Sequence, residues 1–483
     1  MNRKEEFLSG INANGIVLDI GESTTKASFL GSDHCETIFP SYIGKIDDPK
    51  SEKTSYFAEY GLLYQDKKMD IKNAGNGILS NFDVIERLYD YTIDKKFHVE
   101  SSDTPILFVE PLLTPTSVRE KLYELFFEKF DAPAVKLIPA STLACFAYAK
   151  HTGISVDCGH GGTRVCPVVE GTSLRSTMQY NNTSMSGRHT DVALLKYLRS
   201  ILEKDESGDI LSSETKVKER IVHSLLPAPF QGAVKREKEL KRRKIEEFAE
   251  KDEDEESESE SSMKSLLSGL IPPRPRLSSL SQAYLSFHIS STLESIKKSH
   301  FFTPLSPILT SEQLRQLKME KGQSSKDKDS SISDTTSEFI LPDGTSVEMA
   351  PSACVLEGMF NGKYRSLLSP DNPIHSHTIQ SMIAHSTHTL PDTLQQQLVG
   401  NIFPSGGVCN CRGFSERLAR EIPSKFPSVF SPRILSLSAH DLRTVNVLGG
   451  CVIGAVSAFQ SEWISSVEWS EMGEKALEKK WNG

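Results

Sequence analysis

The sequence has 483 residues, eight cysteines and a formal net charge of −9, which is enough length for two domains or one two-lobed unit. The acidic balance argues against direct nucleic-acid binding by overall charge, and no apolar run reaches the roughly 18 residues of a membrane span. The cysteines are scattered along the chain, which is typical of reduced thiols in the cytosol or nucleus rather than of a disulfide framework.

The first predicted element is a β-hairpin. The segment GIVLDIGESTTKASFLG (15–31) runs from an apolar strand through an Asp-x-Gly turn into a second strand, a pattern that predicts a tight hairpin. Backbone N–H groups at such a turn suit a phosphate, and an aspartate at its edge can hold magnesium through water. The candidate nucleotide-binding residues of this hairpin are Asp19, Gly21, Glu22, Ser23, Thr24 and Lys26.

Three helices are predicted after this hairpin. Residues 83–93 and 117–130 place apolar side chains at helical spacing, which favours two amphipathic helices. Residues 139–149 begin with Pro-Ala-Ser-Thr, and proline is favoured at a helix start. This third helix leads directly into another apolar strand.

A second hairpin repeats the design of the first. The segment SVDCGHGGTRVCPVVEG (155–171) again has a strand, an aspartate, a glycine-rich turn and a returning strand. Two such hairpins in one chain indicate a duplicated architecture with a ligand between its halves. Its candidate nucleotide-binding residues are Asp157, Gly159, His160, Gly161, Gly162 and Thr163, and Asp19 with Asp157 are the two carboxylates expected to hold magnesium through water.

Residues 227–338 form a low-complexity charged segment. It includes the basic run KREKELKRRK (235–244) and the acidic run KDEDEESESESS (251–262). Such a segment buries too little apolar surface to offset its ordering entropy, which predicts a largely disordered insertion. An apolar cluster at 277–296 is a candidate docking helix. The basic run is a candidate nuclear-import signal, and the acidic run could attract basic partners such as histones.

The order of motifs resembles that of actin and the actin-related proteins outside the charged insertion. The resemblance depends on shared order and spacing, since a lone Asp-x-Gly turn is common. Beside the two hairpins it covers NGILSNFD (76–83), EPLLTPTSVREKLYELFFEKFDAPAV (110–135), SGRHTDVALLKYL (186–198), LPDGTSVE (341–348), PSGGVCNCRGFSERLAREI (404–422) and LGGCVIGAVSAFQSEWIS (448–465).

The resemblance implies an α/β actin-like fold, with two ribonuclease-H-like lobes and four subdomains around a nucleotide cleft. The first lobe is expected to span 9–147, with 440–483 returning to it and 42–72 as its small subdomain. The second lobe is expected to span 148–439 and to contain the insertion 227–338. The cofactor implied is ATP or ADP with magnesium, held structurally.

Further parts of the nucleotide site are also carried by the resemblance. Gly406 and Gly407 fall where the family's glycine pair lets the backbone approach the adenosine. The helix ETKVKERIVHSL (214–225) falls where adenine contacts are expected, although Val222 and His223 replace the lysine and glutamate that usually touch the base.

Four positions depart from the family pattern at the reaction centre. Glu22 stands where actin has a serine facing the terminal phosphate, and a carboxylate about 4 Å from a phosphate charge is repelled by roughly 4 kcal/mol at an effective dielectric of about 20. Either Glu22 turns away or γ-phosphate binding weakens. His160 replaces an aspartate that orders the metal's water shell, Arg164 replaces a histidine near the attacking water, and Ala140 replaces the glutamine that positions it. Because phosphoryl transfer depends on positioning, we expect no appreciable hydrolysis, so that the protein is not an enzyme.

The resemblance favours a non-polymerising scaffold in the nucleus. The phrases of residues 31–46, 138–150, 156–178 and 425–450 look most like the nuclear actin-related subunit of chromatin-remodelling and histone-acetyltransferase complexes. The partners implied are actin or another actin-related protein and a helical segment of a large complex subunit. One alternative is the actin-related subunit at the pointed end of dynactin, a cytoskeletal and cytoplasmic protein, because Gly21, Glu22, Thr25 and Lys26 resemble it. Another is a divergent filament-forming actin with ATPase activity.

Overall fold

A computed structural model describes the chain in twelve pieces. These are residues 15–48, 53–63, 69–75, 77–182, 185–203, 214–226, 281–301, 303, 337–349, 356–361, 378–437 and 441–480. The predicted basic run 235–244 and acidic run 251–262 lie outside them.

The first sheet has six strands and contains the first predicted hairpin, which is confirmed. Strands β1 and β2 pair antiparallel, and β1, β7 and β8 pair parallel. Every residue of β1 and β7 is buried, as expected for a sheet covered on both faces. The strand order is β16-β8-β7-β1-β2-β3. The strands are β1 Ile16–Ile20, β2 Thr24–Phe29, β3 Thr37–Pro40, β7 Ile106–Glu110, β8 Ala134–Pro139 and β16 Ile464–Ser465.

The second sheet repeats this arrangement around the second hairpin, which is also confirmed. Here β9 and β10 pair antiparallel, and β15 joins β9 in parallel. The strand order is β11-β10-β9-β15, with β12 also paired to β10. The strands are β9 Gly153–Cys158, β10 Thr163–Val169, β11 Thr172–Ser173, β12 Gln179–Asn181 and β15 Ile402–Ser405. In both sheets an antiparallel hairpin therefore has a parallel strand beside its first strand.

Two small sheets complete the strands of the described residues. The first has the order β5-β4-β6 and falls in the expected small subdomain, and the second is a two-stranded hairpin. Their strands are β4 Tyr42–Asp48, β5 Lys53–Phe57, β6 Asp70–Asn73, β13 Ser337–Ile340 and β14 Ser346–Met349.

The helices include all three that the sequence predicts before the second hairpin. The first two continue as π-helical turns at Thr92–Phe97 and Leu125–Lys129. No described helix is both long enough and apolar enough to cross a membrane. The α-helices are α1 Phe82–Tyr91, α2 Thr116–Glu124, α3 Ala140–Ala147, α4 Gly187–Leu202, α5 Glu214–Leu225, α6 Gln282–His300, α7 Glu357–Phe360, α8 Ile379–Thr387, α9 Asp392–Val399, α10 Phe414–Glu421, α11 Val445–Gly454, α12 Ser466–Met472 and α13 Lys475–Lys480.

The C-terminal segment returns to the first sheet, as the resemblance implies. Helix α11 packs on α3 and contacts β1, β2 and β7, and β16 pairs with β8. A Cβ on Gly449 would lie 1.8 Å from the carbonyl oxygen of Leu143. Only glycine therefore lets α11 approach α3 this closely.

Helix α6 confirms the candidate docking helix within the insertion. The apolar cluster at 277–296 supplies most of a 19-residue helix, which begins after the N-cap Ser281 and packs against α4, α5 and β6. Tyr284, Leu293 and Ile296 are almost fully buried. Of the predicted insertion 227–338, the structure describes only 281–301, 303 and 337–338, so disorder of the remainder stays a prediction.

Candidate nucleotide cleft

The tips of the two hairpins face a single cavity of about 500 Å³. Asp19 and Asp157 both line it, so the two carboxylates predicted to share a site do lie at one cavity. Twelve of the fourteen predicted nucleotide-binding residues line the cavity, and Gly162 and Thr163 do not. The twelve are Asp19, Gly21, Glu22, Ser23, Thr24, Lys26, Asp157, Gly159, His160, Gly161, Gly406 and Gly407.

The first hairpin forms a tight turn with a buried ion pair. The amide of Gly21 donates to the carbonyl of Thr24 at 3.1 Å, and a Cβ on Gly21 would lie 2.9 Å from that oxygen. Lys26 Nζ donates to Asp19 Oδ2 at 3.0 Å, and both side chains are about nine-tenths buried. The first candidate metal carboxylate therefore already has a cation beside it.

The side chain of Thr163, a predicted nucleotide-binding residue, points away from the cleft. Its hydroxyl donates to the carbonyl of Met185 at 2.6 Å, and the residue is fully buried. Successive strand side chains point to opposite faces, so Arg164 rather than Thr163 lines the cavity. A Cβ on Gly162 (φ +159°) would lie 2.8 Å from the ring of Tyr180, which shows that this glycine is required by packing.

Arg164 occupies the centre of the second hairpin's charge network. Its Nη1 lies 3.6 Å from Asp157 Oδ2, and its Nη2 donates to the carbonyl of Gly77 at 2.6 Å. The guanidinium also lies 5.2 Å from the centre of the Tyr180 ring. Burial raises the pKa of the Asp157 carboxyl, and the positive charge of Arg164 opposes that shift.

Glu22 points to the second lobe and is paired, an arrangement the sequence did not reveal. Its Oε1 accepts from Arg188 Nε at 2.9 Å and also from Nη2 of the same guanidinium. Its Oε2 is buried with no hydrogen-bond partner among the described residues. The carboxylate is only 4% exposed. Arg188 therefore compensates the charge that was expected to repel a phosphate.

His160 is a neutral side chain at the junction of the hairpins. Its Nε2 lies 3.7 Å from Glu22 Oε1, and its Nδ1 lies 3.8 Å from Asp191 Oδ2. Burial, followed by the charges of Lys297 and Arg188, lowers the pKa of His160 to about 4. Neither carboxylate lies within hydrogen-bond distance of the ring, so neither offsets the effect of burial on the pKa of His160. At neutral pH the imidazole adds no charge to the cleft.

Of the predicted glycine pair, only Gly406 is required by the packing and backbone conformation of the protein itself. Gly406 has a φ of +90°, and a Cβ there would lie 2.5 Å from the carbonyl oxygen of Cys158. Its amide donates to the carbonyl of Leu442 at 2.8 Å. Gly407 lies beside Arg443, whose Cγ would be 3.5 Å from an added Cβ. Both residues line the cavity.

Helix α5 was expected to contact the adenine, but the side of the cavity is formed instead by the C-terminal end of α6. No described residue of α5 lines the cavity, and Val222 packs instead in the cluster around Tyr284. The cavity is lined by Glu294, Lys297, Lys298, Ser299 and Phe301. Lys297 and Lys298 directly follow the apolar cluster in the sequence, so a basic pair at the end of an amphipathic segment was the available signal.

Helix α6 also joins the small subdomain to the second lobe. His288 Nε2 lies 3.0 Å from the carbonyl oxygen of Leu62, and Ser281 Oγ donates to the carbonyl of Met69 at 2.8 Å. At its other end, Lys297 forms an ion pair of 2.5 Å with Asp191 of α4. The helix therefore spans from the small sheet to the cleft.

The charge of the lining fits a polyphosphate anion. Six lysine and arginine side chains line the cavity against four carboxylates, and His160 is neutral. The fit to magnesium is poorer, because Asp19 pairs with Lys26 and Asp157 lies beside Arg164. Each of the two candidate magnesium carboxylates therefore already has a cation beside it.

Comparison with known proteins gives a consistent family and a consistent set of relatives. A protein-family model described as Actin matches residues 10–482. The chain is 23% identical to "Actin-related protein 4" of Arabidopsis thaliana over 98% of this chain and 99% of the relative. It is 24% identical to the Candida albicans protein of that name (96% of each chain) and 25% identical to that of Eremothecium gossypii (99% of each chain).

Proposed function

This chain belongs to the actin family, whose model matches residues 10–482, and from that premise we propose that it is a non-polymerising scaffold subunit of a nuclear chromatin-remodelling or histone-acetyltransferase complex. In this proposal a nucleotide in the cleft has a structural role and is not hydrolysed. Support comes from the full-length similarity to actin-related proteins of three organisms and from the residues of the cleft.

The observation that carries the proposal is that neither Ala140 nor Arg164 can accept a hydrogen bond from an attacking water. Arg164 stands where the resemblance expects a histidine near the attacking water, and a guanidinium has donors only, so it cannot accept a hydrogen bond from that water. Ala140 lines the cavity with a methyl group, which can neither donate nor accept a hydrogen bond. Since hydrolysis of a phosphoryl bond requires a positioned water, these residues favour retention over turnover.

Two arginine side chains connect the two lobes across the cleft. Arg188 of α4 binds Glu22 of the first hairpin, and Arg164 of the second hairpin binds Gly77 of the first lobe. A closed cleft supported by such contacts suits a subunit of fixed shape. A subunit of fixed shape is what we expect of a scaffold.

The partners proposed are actin or another actin-related protein and a helical segment of a large complex subunit. This step rests on the sequence resemblance, and histones are proposed as partners of the acidic residues 251–262. The small subdomain supports absence of polymerisation, because the first three residues of β5 (Lys53–Phe57) are exposed and polar. We expect such a strand to make a poor apolar contact with a second copy.

Affinity purification of the tagged full-length chain tests the proposal. We expect actin and a large subunit of a nuclear complex to co-purify from a nuclear extract, with tagged conventional actin and the tag alone as parallel baits. Recovery of dynein and dynactin components from the cytoplasm would instead favour the pointed-end alternative. Recovery of filaments of the chain itself would favour the filament-forming alternative.

A further inference from the structure

We propose that Arg164 acts as a built-in counterion for phosphate, so that the cleft binds ATP or ADP without a divalent cation. The inference rests on the proposed occupancy of the cleft by a nucleotide and specifies the form in which that nucleotide is bound. The residues that carry it are Arg164, Asp157 and the cations of the cavity lining.

The first step is the placement of the guanidinium. Arg164 is 8% exposed and lines the cavity, with Nη1 at 3.6 Å from Asp157 Oδ2. The carbonyl of Gly77 and the ring of Tyr180 hold it in place. A guanidinium has five N–H donors, so this side chain keeps donors that a phosphate oxygen can accept from.

The second step is the competition with a metal ion. Magnesium is usually bound in proteins by one or two carboxylates together with substrate phosphates. Here Asp157 has a fixed cation at ion-pair distance, and Asp19 accepts from Lys26 at 3.0 Å. A divalent ion next to Asp157 would be repelled by the guanidinium, which cannot lose its proton. The positive charge of Arg164 therefore takes the place of the metal ion beside Asp157.

The third step is the supply of positive charge. The lining holds Lys26, Arg164, Lys297, Lys298, Arg412 and Arg443 against Asp19, Glu22, Asp157 and Glu294. Two of these cations, Lys297 and Arg443, also pair with carboxylates outside the lining. Glu22 in turn pairs with Arg188 outside the lining, which leaves a small positive excess. An arginine fork matches phosphate oxygens in geometry and charge. Because the lobes already hold this guanidinium in place, little side-chain entropy is lost when a phosphate binds it.

The test is calorimetric titration of the full-length protein with ATP and with ADP, in excess magnesium and again in EDTA. We expect the dissociation constants in the two conditions to agree within about threefold. Binding that disappears in EDTA would overturn the inference while leaving nucleotide occupancy intact. Failure to bind in both conditions would overturn the inference and the proposed occupancy together, whereas the scaffold role would still be judged by its purification experiment.

The variant Arg164→Gln assigns the effect to this side chain. We expect it to weaken binding in EDTA by about ten- to a hundredfold, as for loss of a hydrogen bond to a charged group, and magnesium to restore part of the loss by reaching the freed Asp157. Arg420→Gln, on the exposed face of α10 and outside the cavity lining, is the matched control. If Arg164→Gln binds ATP and ADP in EDTA as tightly as the wild type does, Arg164 serves only as a contact between the lobes and the inference is refuted. If Arg164→Gln does not fold, the magnesium and EDTA titrations of the wild-type protein still decide the proposal.

Discussion

Replacement of Glu22 by serine tests the electrostatics of the cleft. The carboxylate is buried and borders the cavity, with Arg188 on its Oε1. A unit charge about 4 Å from a phosphate charge contributes roughly 4 kcal/mol of repulsion at an effective dielectric of about 20. That figure is an upper bound, because the contact with Arg188 holds the carboxylate toward α4. We expect Glu22→Ser to tighten ATP binding by about tenfold or more, since each factor of ten corresponds to about 1.4 kcal/mol.

The assay is ATP titration and phosphate release for the wild type and Glu22→Ser. Glu124→Ser, an exposed carboxylate on α2, controls for the change in net charge. Affinity that stays unchanged in a protein that does bind ATP would refute the electrostatic argument, because Glu22 would then lie too far from the phosphate to act on it. Wild-type hydrolysis at the level of ordinary actin would refute the inactive site as a whole.

Glu22→Ser alone should leave phosphate release at background, since the attacking water still lacks its positioning groups. Restoring glutamine at 140, aspartate at 160 and histidine at 164 together with serine at 22 is the combination in which slow hydrolysis is expected. Hydrolysis by the single variant would show that the water is positioned by other residues.

Three further predictions concern assembly, acid and the buried ion pair of Arg417 with Glu357. With ATP in polymerising salt the protein should stay in the supernatant on sedimentation, and a critical concentration for pelleting would contradict the scaffold role. Burial lowers the pKa of His288 from 6.5 to about 4, so its protonation favours release of α6 from the small subdomain. As pH falls from 6.5 to 5, we expect the docking of α6 to lose about 2 kcal/mol of stability. Amide exchange over 281–301 measures this, with His288→Gln expected to lack the step and exposed His151→Gln to retain it. Arg417→Met should lower the free energy of unfolding in denaturant by about 3–5 kcal/mol, because it removes the cation paired with fully buried Glu357 at 3.3 Å; a loss under about 1 kcal/mol would contradict it.

The two hairpins could be predicted from the sequence because their signals are local. A buried strand, an aspartate and a glycine turn lie within a few residues of each other, and the strand register follows from that turn. The side chain of Thr163 shows that the hairpin signal does not specify which residue of the returning strand faces the cleft. Its neighbour Arg164 takes the position facing the cleft, and a difference of one residue along a strand reverses the face.

The pairing of Glu22 and the docking of α6 could not be predicted, because both depend on residues distant in sequence. Arg188 lies 166 positions from Glu22, and nothing in the composition of α4 indicates which carboxylate it meets. Likewise, the apolar spacing of α6 is visible in the sequence, but its hydrogen bonds to Leu62 and Met69 join it to residues more than 200 positions earlier. Amphipathic spacing predicts that a helix will bury one face, and it carries no information about the surface that covers it.

The docking of α6 has a consequence for shortened forms of the protein, whether made by proteolysis, by splicing or by design. A chain cut from 227 to 338 would lose the cavity wall at Lys297 and Phe301. It would also uncover the apolar side chains that Tyr284 now covers on the small sheet, and a patch of that kind promotes aggregation. A shortened chain that keeps 281–303 retains both surfaces. Helix α6 is therefore part of the folded core, and its removal would cost both the cavity wall and the cover of the small sheet.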